Sequence, residues 1–161
     1  MNDVLSILLL GIGATVVTDA WGLIRKPLLG LPAPDYTLVG RWIGHMADGR
    51  FRHDRIAAAS PVKGERALGW IVHYATGVAF AAALIWIVGF KWLRAPTLGP
   101  ALAFGIATVA APFLLMQPGM GAGFAASRTP NPNSARLQSL ITHAVFGFGL
   151  WAAAWMIRYP G

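Results

Sequence analysis

Residues 4–24 read VLSILLLGIGATVVTDAWGLI, an apolar run whose single ionisable side chain is Asp19. A helix needs about 20 mostly apolar residues to cross roughly 30 Å of hydrocarbon with every backbone hydrogen bond made internally. The run therefore predicts a membrane-spanning helix. Met1, Asn2 and Asp3 before it bring no positive charge, and no small-x-small cleavage pattern clearly follows, so an uncleaved span is expected. Working outward, three further runs meet the same criterion: 68–90, 98–117 and 137–157, each set off by Pro, Gly or charge. The predicted fold is all-α, a polytopic four-transmembrane-helix bundle forming one membrane domain over 1–161.

Composition agrees. Hydrophobic residues make up 56% of the chain and charged residues 12%, against roughly 25% charged in an ordinary soluble domain. The net charge of +7 lies almost entirely between the apolar runs. That placement marks a topology signal and an attraction to anionic lipid headgroups, not a nucleic-acid surface. With no Cys there is no disulfide framework and no thiolate ligand or nucleophile.

Lys and Arg divide unevenly between the two sides. One side holds Arg25, Lys26, Arg41, Arg50, Arg52, Arg55, Lys63, Arg66, Arg128 and Arg136; the other holds Lys91, Arg94 and Arg158. Because cytoplasmic loops carry the excess, loops 25–67 and 118–136 are expected in the cytoplasm and both termini outside. The first loop is too long to be a bare connection, so part of it should be structured. In it Leu38, Val39, Trp42, Ile43 and Met46 recur at three- and four-residue spacing. This predicts a short interfacial helix over 36–47, with Trp42 toward apolar surroundings and Arg41 and His45 on the opposite face.

The strings GRWIGHMADGRFRH (40–53), SPVKGERALGWIVHYATG (60–77), LMQPGMGAGFAASRTPNP (115–132) and ARLQSLITHAVFGFGL (135–150) together resemble an uncharacterised bacterial family of four-span inner-membrane proteins, a domain of unknown function. The resemblance implies a small polytopic protein of the bacterial inner (plasma) membrane. It transfers no catalytic residue.

The HExxH zinc helix, the phosphate loop and the nucleophile elbow are all missing, which weighs against an enzyme. GIGAT at 11–15 has a dinucleotide-like look, but it lies inside a span with no preceding strand, and its glycines suit close helix packing. In the third loop Gly119, Gly121 and Gly123 are spaced so that backbone NH groups can converge on an anion or lipid headgroup, with Arg128 and Arg136 nearby. A plain well-turned loop explains the same glycines. Asn133 or Ser134 is the expected cap of the fourth helix, with Pro130 and Pro132 outside it.

Three ionisable residues fall inside the spans: Asp19, His73 and His143. Such residues cost about 2.5–3.5 kcal/mol at a helix centre and usually face a partner or a cavity. At 1.5 Å per residue each lies roughly 8–9 Å below the same surface. Each also continues a stripe of small or hydroxyl residues at four-residue spacing: Gly11, Thr15, Asp19; Gly69, His73, Gly77, Ala81; Ser139, His143, Gly147. They are expected to turn toward neighbouring helices and to converge. Pro112 should free a carbonyl or kink the third span near that layer. The chemistry has three readings. Asp19, His73 and His143 can bind a cation, a divalent metal ion or a proton, for transport or sensing. Alternatively His73 and His143 hold a b-type haem. In the third, the chain is a scaffold that binds lipid or a partner protein, oligomers included, and an Asp–His or Asp–Tyr74 pair merely fixes helix register.

Overall fold

The computed structural model describes residues 2–158. Four helices are long and apolar enough to cross a membrane: Asp3–Leu29 (α1), Glu65–Val88 (α3), Leu98–Met120 (α4) and Pro132–Ile157 (α5). A short helix, Tyr36–Met46 (α2), occupies the first loop. The fold is all-α and the chain is a multi-pass membrane protein.

Local chemistry sets the boundaries. Asn2 caps α1 by accepting the Val4 NH at 2.9 Å, and Gly30, at φ 68°, closes it by returning its NH to the Lys26 carbonyl. Asp35 caps α2 through the Thr37 NH. Glu65 opens α3 by reaching back to the Val62 NH at 2.8 Å. The expected caps of the last helix, Asn133 and Ser134, lie inside it instead, because the helix starts at Pro132. A proline in the first turn loses no hydrogen bond, since that NH has no partner in a helix, and its fixed φ suits the helix start. The third span is α-helical over Leu98–Ala107, turns at 108–109 and widens to a π-helix over Pro112–Met116. The irregularity expected from Pro112 is present in that form.

The chain forms two compact units. The first comprises the described parts of 1–33, 74–108 and 140–161. Leu10, Ala14, Leu84, Ile85, Trp92, Leu93, Phe146 and Leu150 are buried at its centre. Its helices meet through small residues. A Cβ on Gly11 would strike the Val78 backbone, one on Gly77 the Thr15 hydroxyl, and one on Gly105 the Gly147 backbone. Gly11, Thr15, Gly77 and Gly147 belong to the stripes read from the sequence and Gly105 adds to them, letting backbones approach where lipid offers no hydrophobic drive. Large apolar side chains such as Trp86 and Met156, both 87% exposed, cover the outside, as a bilayer-facing surface requires.

The second unit comprises 34–73 and 109–139. Here α2 packs on the start of α3, where Gly40 lies against the Glu65 carbonyl and Gly69 against the Tyr36 carbonyl. Gly119 gives Trp42 its place, and Gly121, at φ 95°, lies against the carbonyls of His53 and Asp54. The turn at Phe124–Ala126 holds Ala125 and Ala126 at φ 45° and 59°.

Candidate functional site

In the first unit two ionisable residues of the spans meet hydroxyls. The Tyr74 hydroxyl donates to Asp19 Oδ2 at 2.9 Å. His143 Nδ1 lies 2.8 Å from Thr108 Oγ1, and that hydroxyl donates to the Gly105 carbonyl at 2.5 Å. A hydroxyl has one proton to give. With it committed to Gly105, Thr108 must accept from His143, so Nδ1 carries the hydrogen and the neutral ring keeps its lone pair on Nε2.

In the second unit the His73 ring stacks on Tyr36, centroids 3.9 Å apart, with Trp70 edge-on to Tyr36. Among the described residues no group of three or more His, Asp or Glu side chains is arranged to hold a metal ion. The metal-ligand role expected of Asp19, His73 and His143 finds no such group among the described residues.

Charge is handled differently around α2. Arg41 forks onto Glu65, Nη2 to Oε1 at 2.7 Å and Nε to Oε2 at 2.8 Å, with both side chains only 13–14% exposed. Its third nitrogen donates to the Ala59 carbonyl at 3.1 Å. Hydrogen bonding to this carboxylate raises the Arg41 pKa above its ordinary value. Arg41 and His45 do share a face, but that face is packed. His45 is only 6% exposed. Its Nε2 lies 3.0 Å from the Ser60 carbonyl and its Nδ1 2.7 Å from His53 Nε2. Because a carbonyl only accepts, Nε2 of neutral His45 must donate, its Nδ1 must accept, and His53 must donate from Nε2. That leaves the lone pair of His53 on Nδ1, a buried atom with no protein partner; Gln117 Oε1 is in the same condition.

The loop carrying His53 is fastened from several directions. Its NH donates to the Gly119 carbonyl at 2.9 Å, and Trp42 Nε1 donates to the Phe51 carbonyl at 2.9 Å. Beside it opens a cavity of about 560 Å³ walled by Arg50, Arg52, His53, Asp54, Arg55 and Arg128. The residues expected to contact an anion divide here. Arg128 lines the cavity, whereas Arg136 is bound to the Ala125 carbonyl at 2.8 Å and to Asn133. Gly119 and Gly121 are glycines because Trp42 and the Asp54 carbonyl come too close for a Cβ, and Gly123 because of its φ of 76° and its contact with Ser127. The Gly121 NH is turned onto the Pro118 carbonyl at 3.3 Å, not onto a shared anion position.

Four apolar helices, a short helix in the first loop and a set of buried polar pairs define a multi-pass membrane protein that keeps ionisable residues inside. The family model for a protein of unknown function, DUF2938, matches residues 8–157, and the chain belongs to that family. No curated protein and no solved structure matches it.

Proposed function

We propose that this protein is a single membrane domain of the bacterial inner membrane that binds a proton within its spans, for transport or sensing. Asp19 and His143 are the groups that exchange it. The observation that carries this reading is the His143–Thr108–Gly105 chain, which engages Nδ1 of the imidazole and leaves Nε2 as the ring's second proton site. An ionisable residue kept inside a membrane segment marks an ion pathway by default. A proton needs no multi-ligand shell, so it fits paired groups better than a metal ion does.

The test uses the full chain in proteoliposomes carrying a trapped pH dye, with an imposed membrane potential. Wild type should move protons, and His143→Ala and Asp19→Asn should each reduce the rate at least tenfold. A wild-type rate equal to that of protein-free vesicles, together with no proton uptake by purified protein across pH 5–8, would sink the proposal. Visible absorption and elemental analysis of the same preparation address the other readings: a Soret band selects haem on His73 and His143, and stoichiometric metal restores a metal site. We further propose that loops 25–67 and 118–136 face the cytoplasm and its anionic headgroups, on the distribution of Lys and Arg. A C-terminal reporter active only in the cytoplasm would reverse that orientation.

A further inference from the structure

We infer that the cavity beside the His53 loop is a binding site for the phosphate group of a phosphate ester. Its wall presents four arginines, Arg50, Arg52, Arg55 and Arg128, against one carboxylate, Asp54. Four of the six arginines outside the wall are occupied, Arg41 by Glu65, Arg25 by the Pro32 carbonyl, Arg136 by the Ala125 carbonyl and Arg158 by the Trp155 ring, while Arg66 and Arg94 stand apart from any such cluster. Among the described residues no hydrogen bond or ion pair occupies the side chains of the four in the wall. Guanidinium groups are planar forks that match phosphate oxygens two at a time. Several left unpartnered around one hollow make a surface of high positive potential that attracts multiply charged anions.

A second observation is independent of charge. His53 belongs to the same wall, and its buried Nδ1 has no protein partner. Buried polar atoms are normally satisfied, so an exception in a residue that lines a cavity sets that residue apart from an ordinary packed histidine. With its Nε2 hydrogen given to His45, His53 keeps an unused acceptor at Nδ1. The volume, about 560 Å³, exceeds what an inorganic ion fills and lies within the roughly 300–1,000 Å³ of small-molecule sites. The loop is also prepared: the bonds to Gly119, Trp42 and His45 hold residues 51–53 before any ligand arrives, which reduces the ordering cost of binding. The phosphate can belong to a phospholipid headgroup or to a soluble phosphorylated molecule, and the two sources separate by experiment.

The full chain is placed in nanodiscs of phosphatidylcholine and titrated with glycerol phosphate by calorimetry. In parallel, native mass spectrometry counts lipids retained from discs doped with phosphatidic acid. Saturable binding of glycerol phosphate supports a soluble ligand; selective retention of phosphatidic acid with no glycerol phosphate binding supports a headgroup. In either case Arg52→Ala with Arg128→Ala should weaken binding at least tenfold, and Arg158→Ala should leave it unchanged. Unchanged helicity by circular dichroism checks that the double variant is folded, and Arg52→Lys alone, which keeps the charge but loses the fork, should give a smaller loss. Failure of both probes to bind wild type, or equal binding by wild type and a folded double variant, overturns the inference. Proton movement is measured separately and does not enter these outcomes.

Discussion

The two compact units hold their polar residues with different partners. In the first, Asp19 and His143 meet hydroxyls of Tyr74 and Thr108. In the second, Arg41 meets Glu65 with a two-pronged ion pair, and His45 meets His53. The difference follows from what each segment can reach. A membrane span draws its partners from neighbouring apolar helices, where Thr and Tyr are tolerated and a second full charge adds its own transfer cost. A loop segment has Lys, Arg, Asp and Glu within reach and can match charge to charge. Both units nevertheless use glycine for the same purpose, to bring backbones together: Gly105 against Gly147 in one, Gly40 against Glu65 and Gly69 in the other.

That shared device gives the largest expected effect. Gly40→Ala places a methyl against the Glu65 carbonyl, and Gly105→Ala places one against the Gly147 backbone. Neither neighbour is a flexible side chain that can swing away, so each variant should lose about 3 kcal/mol or more, the upper end of overpacking costs. Denaturation in mild detergent measures the loss. Hydrogen exchange should locate the first variant's damage at α2 and the second's at α4 and α5. Equal protection of α2 in Gly40→Ala and wild type would break the claim that glycine fixes the α2–α3 contact.

His45→Ala comes next. It leaves the Ser60 carbonyl and His53 Nε2 without their partner, and a buried polar group so orphaned costs roughly 1–3 kcal/mol. His53→Ala orphans only His45 Nδ1 and should cost less. Thermal shifts in that order would support the fixed tautomers; the reverse order would mean that the pair is held from the other end. Arg41→Met and Glu65→Met, alone and together, probe the ion pair. Each single variant should melt lower than the double, because either one strands a charge that the double removes.

Legibility from sequence divides along similar lines. The spans were readable because twenty apolar residues in a row have few alternatives, and α2 because its three- and four-residue spacing survives in an eleven-residue helix. The glycine stripes were readable because four-residue spacing lines up one helix face. His45–His53 was not: the two rings meet only because the chain reverses after α2, with Gly49 at φ 74°. The ADG at 47–49 was the available signal, a turn that returns residues 50–55 alongside the helix just finished. Arg41–Glu65 spans 24 residues with no local pattern to announce it. Gly119 and Gly121 carried the right letter for a different reason, since room for Trp42 and room for an anion look alike in sequence.

The smallest expected effect sharpens the contrast between the units most directly. Tyr74→Phe removes one hydroxyl from the Asp19 carboxyl and leaves the ring packing in place. Hydrogen bonds between membrane helices average about 0.6 kcal/mol, because a span that loses one partner finds another. A loss near that value would mean that Tyr74 and Asp19 form an ordinary interhelical pair, matching the neutral style of the first unit. Bonds to a charged group are worth roughly 1.5–3 kcal/mol, so a loss in that range would identify Asp19 as a charged acceptor inside the span. The first unit would then hold charge as the second does, and the proton proposed to bind there would arrive at a carboxylate already poised to take it.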